Sequence, residues 1–237
     1  MTTMPFAPRA YLPVLEELTG AFAGALRTAD PAAVVPDCAG WTVADLATHL
    51  GNVHRWAATV VRTGEVRPQN FAAEAGDDLA SWYAESAQLL LGELQAAEPG
   101  DPCWHFGGTG KTKAFWYRRQ VHETAIHLAD LGGDHGLDPA VAADGVDEVF
   151  TAMLPRVTRW HAVPQLPGPV TLRATDTGDV WTVHPGEPPA LGAATAGAAS
   201  VEAPARDLLL RLWKRTGLDP RVSGDAAKAL LAAPLTP

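Results

Sequence analysis

Apolar residues recur at steps of three and four along most of the first 131 residues, the spacing that puts them on one face of an α-helix. Leu12, Leu15, Leu18, Phe22 and Leu26 form the first series, which predicts a helix over about 8–29 that stops at Asp30-Pro31. A second helix follows the loop through Pro36, Asp37, Cys38 and Gly40. Thr42 stands at its start as a cap, Asp45 places negative charge in its first turn, and Thr63-Gly64 closes it. A third is expected from about Asp77 to Ala97, ended by Glu98-Pro99-Gly100-Asp101-Pro102. The fourth opens near Thr112, after a Gly-rich turn over 107–110, and ends at Gly132-Gly133, glycines suited to a left-handed C-terminal turn. Joined up and down by short loops, these segments predict a four-helix bundle.

The pattern then changes. A helix is expected from Asp138 to Trp160, followed by a Pro-rich crossing through Pro164, Pro167 and Pro169. Residues 170–175 and 180–184 alternate at period two around the turn Asp176-Thr177-Gly178-Asp179, the sign of a β-hairpin. Residues 197–202 read as a third strand, and the Ala-rich stretch 190–199 as loop plus edge strand. Pro204 opens an amphipathic helix carrying Leu208, Leu209, Leu212 and Trp213, and Asp225 to Ala233 reads as a last short helix. The expected fold class is α plus α+β: a bundle over 1–137, a connecting helix over 138–163, and a small α+β domain over 164–237.

Composition narrows the partners. Hydrophobic residues at 47% and charged residues at 19% support a buried core and argue against disorder. Against 27 acidic residues stand 18 basic ones, a net charge of −9, so a broad electrostatic grip on nucleic acid or an anionic membrane is not expected. With no long apolar run and no secretory start, the chain reads as cytoplasmic. Its two cysteines, Cys38 and Cys103, form neither a disulfide framework nor a Cys-x-x-Cys metal knuckle, which turns attention to the eight histidines.

On the second helix, His49 shares a face with Val53, Trp56 and Val60. One histidine on an apolar face usually reads as a core histidine; the fourth helix changes that reading. There Glu123 and His127 lie within ~40° of each other, with Trp116, Arg119, Gln120 and Asp130 in the same sector and apolar stripes on both sides. A charged sector turned toward the neighbouring helices must be paired or bound to metal, because unpaired burial costs about several kcal/mol. Glu123 and His127 at i,i+4, completed by His49 from the facing helix, make a two-His, one-carboxylate set with an open position, the composition of a catalytic rather than a structural zinc site. His122 falls about 140° from His127 and reads as structural, and His54, off the His49 stripe by a similar angle, is left out of the ligand set. Arg119 stands either to bind a substrate carboxylate or to pair with Glu123 or Asp130. Trp116 and Trp56 either line a pocket or pack the core. Arg118 reads as surface, and Cys38 as a small buried residue or a reactive thiol.

The strings CAGWTVADLATHLG at 38–51 and WYRRQVHETAIHLAD at 116–130 resemble the mycothiol-dependent maleylpyruvate isomerase family, whose N-terminal domain is a DinB-like metal-binding bundle. The resemblance continues through Asp144 to Glu148, the hairpin at Asp176-Thr177-Gly178, and Asp207 to Trp213 with Gly224-Asp225. It implies Zn²⁺ or another divalent metal on His49, Glu123 and His127, mycothiol as the thiol cosubstrate, and an actinobacterial source. The implied partners are that thiol and a small electrophile. The implied reaction is thiolate addition to a cis double bond, rotation and elimination; related bundles leave the thiol attached as S-transferases. No Lys or Arg occurs between Arg67 and Lys111, so cations for an anionic substrate must come from Arg55, Arg118, Arg119 or the C-terminal domain. Two other classes stay open: a metal-stabilised binding protein without catalysis, and hydrolysis by metal-bound water.

Overall fold

The Thr42 hydroxyl accepts a hydrogen bond from the Asp45 backbone N–H at 3.2 Å, and Asp45 Oδ2 accepts one from the Thr42 N–H at 2.9 Å. This reciprocal cap starts helix α2, Val43–Thr63, which ends where Gly64 takes a left-handed φ of 73°. The structure is a computed structural model describing residues 6–69, 71, 73–76, 78–108, 110–132 and 136–237. The expected boundaries at Asp77 and Gly133 lie outside the described residues. Helix α1 is Tyr11–Leu26, entered through a 3₁₀ turn at Pro8–Ala10. Helix α3, Leu79–Ala96, is capped by Asp78, and α4 runs Ala114–Asp130. The four helices occupy the predicted stretches.

Their arrangement departs from the prediction. Helix α1 packs on α3 and α4, and α2 packs on the same two, so α1 and α2 stand on a diagonal. The connections 27–42, 64–78 and 97–113 are long rather than short, and the first can therefore cross the end of the bundle. Inside lie Leu15, Phe22, Leu46, Leu50, Tyr83, Leu90 and Tyr117. Gly51 lets α2 approach α3: a Cβ added there would sit 2.1 Å from the Trp82 ring, which also carries the Arg55 guanidinium at 5.2 Å. One polar group lies deep in this core. His54 is fully buried, with Nδ1 2.9 Å from Gln120 Oε1 and Nε2 3.1 Å from Tyr83 Oη. A carbonyl oxygen can only accept, so Nδ1 donates to Gln120 and Nε2 accepts from Tyr83. This neutral tautomer satisfies both ring nitrogens, and burial pushes the His54 pKa down to about 4.

The contacts divide the chain into two units, one built mainly of residues before 136 and one mainly of 136–237. The helix expected as a connection belongs to the second unit. Helix α5, Pro139–Glu148, is capped by Asp138 and buries Val141, Ala142 and Val146. That apolar face needs cover, and it packs on α7, Ala205–Leu212. The helix widens into a π-turn at Val149–Met153 before the short α6, Leu154–Val157. Pro155 has no N–H for the preceding turn, which explains the widening. The strands are β1 Val170–Ala174, β2 Val180–His184, β3 Ala190–Gly192, β4 Ala199–Ala203 and β5 Arg221–Ser223, in the order β3-β2-β1-β4-β5. Strands β1 and β2 form the expected hairpin, while β4 pairs with β1 in parallel. Strand β5 was not expected; three residues with no buried member leave no alternation to read. Helices α7 and α8, Asp225–Ala232, cover β1 and β4. Pro204 offers no side-chain cap to α7, and Asp176 of the hairpin turn accepts from the Ala205 N–H at 2.9 Å instead. No helix among the described residues is long and apolar enough to cross a membrane.

Two stability outcomes follow. Gly51→Ala gains about 1 kcal/mol of helix propensity but forces the Trp82 ring aside, at about 1–3 kcal/mol. The net loss of about 1 kcal/mol should lower Tm by about 2–4 °C in a thermal melt. For His54, the unfolded state binds its proton near pH 6.5 and the folded state only near 4. Its contribution is therefore complete above pH 6.5 and is lost as pH falls toward 4, roughly 3 kcal/mol in all. Chemical denaturation at pH 7 and pH 4.5 should show a steeper loss for the natural chain than for His54→Gln; equal losses would refute the role of His54.

Candidate metal centre

Helices α2 and α4 are neighbours, and each turns a polar residue into the space between them. Glu123 Oε1 lies 3.8 Å from His49 Nε2 and 3.5 Å from His127 Nε2, and the three ligand atoms all lie within 4.8 Å of one another. Donors on a tetrahedral divalent ion with bonds of about 2.0–2.1 Å stand roughly 3.3–3.4 Å apart, so only small shifts separate this set from coordination.

The outward-facing atoms of the α4 pair are already committed. Glu123 Oε2 accepts from the Arg119 guanidinium one turn earlier. His127 Nδ1 donates to Asp130 Oδ2 at 2.9 Å, which leaves Nε2 as the ring nitrogen that faces Glu123. The same Asp130 oxygen accepts from the Cys38 thiol at 3.4 Å. Cys38, His127 and Asp130 also group closely enough to hold an ion, but with Nδ1 donating to Asp130 they act as support for the inward-facing nitrogen.

Burial would raise the Glu123 pKa, but Arg119, then His127 and His49, outweigh it and hold the carboxyl well below its usual range. Burial likewise works against a charged His127, yet Asp130 and Glu123 raise its pKa. The His49 side chain is 28% exposed against 15% for Glu123 and 10% for His127, so solvent reaches the cluster from the His49 side. There His49 meets Trp41 at 4.8 Å and Phe71 at 5.6 Å between ring centroids.

The polar sector of α4 faces inward as its pattern predicts, with Arg119, Gln120, His127 and Asp130 all buried. Of the two readings for Arg119, the geometry shows the pair with Glu123. Trp116 is wholly buried: its Nε1 donates to the Trp104 carbonyl at 3.0 Å, and its ring packs against Trp56 at 5.2 Å, the core packing of its two readings. Trp56 borders a groove of about 450 Å³. Arg118, expected at the surface, is buried. His54 and His122 are core residues and stay outside the ligand set. Sequence reasoning missed the grip of Asp130 on His127, although the i,i+3 spacing signals it. Trp41, Phe71 and Cys38 arrive from loops, where no periodicity points to them.

The chain matches known proteins along most of its length. The family model described as the mycothiol maleylpyruvate isomerase N-terminal domain matches residues 14–132, and the MDMPI C-terminal domain matches residues 140–233. No curated protein matches the sequence. A crystal structure of the mycothiol-dependent maleylpyruvate isomerase superposes with a TM-score of 0.67 at 15% identity, covering 94% of this chain and 96% of that one. A histidine-to-alanine mutant of the mycothiol-dependent maleylpyruvate isomerase gives 0.62 at 14% identity, covering 88% and 90%. At such identities the likeness speaks for the fold. The N-terminal model alone spans half of the sequence and includes His49, Glu123 and His127, and the second model accounts for the sheet-bearing unit; the chain belongs to the mycothiol maleylpyruvate isomerase family.

Proposed function

We propose that the chain is a divalent-metal enzyme, with zinc the ion its two imidazoles and one carboxylate suit best, that uses mycothiol or a similar small thiol on a small electrophile. The reaction is a cis-trans isomerisation of the maleylpyruvate type or a transfer of the thiol to the electrophile, in an actinobacterial cytoplasm. The carrying observation is that Glu123 Oε1 and the Nε2 atoms of His49 and His127 face one point while the outer atoms of Glu123 and His127 are held by Arg119 and Asp130.

A divalent ion on these residues supplies Lewis acidity that keeps a bound thiol deprotonated at neutral pH. The chain's own residues arrange the rest. Asp130 fixes the tautomer and ring orientation of His127, and Arg119 keeps Glu123 ionised and single-sided. Arg119 is therefore a positioning residue, its side chain only 3% exposed and committed to Glu123. His49 stands at the solvent-facing rim, where thiol and electrophile enter. The run from Arg119 through Glu123 and His127 to Asp130 also favours a second reading, in which the same ion pairs stabilise a binding protein that performs no chemistry.

Elemental analysis separates the two. The purified protein should carry close to one divalent ion per chain, and His49→Ala should lose both that ion and thiol-dependent turnover while keeping its helical circular dichroism. Full turnover in His49→Ala, or turnover without added thiol, would sink the thiol-enzyme reading. A thiol that is regenerated indicates isomerase; one that is consumed indicates transferase. Asp130→Asn should weaken metal binding by about 10–100-fold in competition with a chromophoric chelator, since it releases His127 without removing a ligand.

A further inference from the structure

We infer that His54, through its hydrogen bond to Gln120, is a positioning residue of the metal centre: it fixes how far along α4, and at what rotation, helix α2 presents His49. The inference rests on the ligand set proposed above, though not on the thiol chemistry. Among the described residues, the bond from His54 Nδ1 to Gln120 Oε1 at 2.9 Å is the one side-chain hydrogen bond that joins α2 to α4. Helix α2 otherwise leans mainly on α3, where Gly51 lies against the Trp82 ring. Both partners are buried, His54 completely and Gln120 to all but 1%.

The bond lies where it can set the ligands. Helices α2 and α4 run antiparallel at this point: His49 meets Glu123 and His127, while His54, five residues further along α2, meets Gln120, three residues before Glu123. Five residues turn a helix by about 140° net, so the two histidines stand on either side of the line along which α2 faces α4. Two contacts so placed fix rotation as well as slide. A slip of one residue would carry His49 about 1.5 Å along the axis and turn it by about 100°, whereas a coordinating set must be held within about 0.5 Å.

Apolar contacts tolerate small slides; a directional hydrogen bond in a dry core does not. A buried polar pair is most useful where it selects one register among several that apolar packing would allow. His54 is held in that role from the other side, since Tyr83 Oη on α3 donates to Nε2 at 3.1 Å and so commits Nδ1 as the donor to Gln120. The surroundings of His49 travel with the same helix. Asn52 clasps the Ala73 backbone, donating to its carbonyl at 2.9 Å and accepting from its N–H at 3.2 Å, and Trp56 Nε1 donates to the Arg67 carbonyl at 3.0 Å. The connection that sets Phe71 against His49 therefore keeps its place on α2, and the register of α2 on α4 places ligand and rim together.

The test is the zinc affinity of the full chain, read by competition with a chromophoric chelator, beside a thermal melt of each variant without zinc. His54→Leu and Gln120→Leu should each weaken zinc by about tenfold, the lower end of what losing an outer partner of a metal site costs. The double variant should bind zinc no more weakly than either single one, because both remove the same bond. It should also melt no lower than His54→Leu, since Gln120 no longer stands unpaired. Tyr83→Phe strips the same ring of its α3 partner and leaves the bond to Gln120, so it should lower Tm and leave zinc affinity unchanged, an outcome that a merely structural His54 does not give. His54→Asn, whose amide can donate from the position of Nδ1, should restore most of the affinity; with Gln120→Leu it decides the matter if His54→Leu does not fold. Unchanged zinc affinity in a folded His54→Leu or Gln120→Leu, an equal loss in Tyr83→Phe, or additive losses in the double variant would each overturn the inference. Zinc binding with the expected losses but no thiol-dependent turnover would remove the function proposed above and leave this inference standing; a natural chain that binds no zinc would remove both.

Discussion

Charge that is taken out of water on α4 must be answered by charge or hydrogen bonds, and this requirement organises the helical unit. An unpaired buried carboxylate or guanidinium costs about several kcal/mol, more than a helix of this size can absorb at several positions at once. The chain meets the cost in sequence order: Arg119 to Glu123, Glu123 toward His127, His127 to Asp130, and Asp130 to the Cys38 thiol. Each link uses an i,i+3 or i,i+4 step until the last, which reaches a loop. The loosest link is the one between Glu123 Oε1 and His127 Nε2, at 3.5 Å, and both atoms also lie near Nε2 of His49 on α2. The centre is thus the residue of an otherwise completed pairing scheme.

Much of this is legible in the sequence because it is local. The Thr42 and Asp45 cap, the Gly64 stop and the inward sector of α4 are set by neighbours within one or two turns, and helical geometry converts their spacing directly into direction. The pairing of His49 with the α4 residues can be anticipated because two misplaced polar groups on apolar faces need each other. The diagonal placement of α1 and α2 cannot, since it depends on how long loops cross, and loop length alone does not choose a side. Arg118 departs from expectation for a related reason: a helix held among other elements buries most of its circumference, so no sector is left to stand for the surface. Strand β5 exists only because β4 offers it an edge.

The helices and the loops divide the work. Helices supply the candidate ligands, whose directions must be fixed within a narrow range. The long connections supply the surroundings: Cys38 and Trp41 from the first and Phe71 from the second. This matches the general tendency for a rigid scaffold to carry chemistry and for loops to shape what reaches it.

The clasp of Asn52 on Ala73, with Trp56 on Arg67, anchors the second connection through main-chain atoms of the loop at both ends. Neither anchor reads the identity of the loop side chains. Pro68 and Phe71 can therefore be exchanged by evolution, or in a library, while the tethers stay intact, and the bundle would tolerate a change of selectivity without renegotiating its stability. Side chains in this short span are thus freer to change than Asn52 and Trp56, which hold its main chain in place.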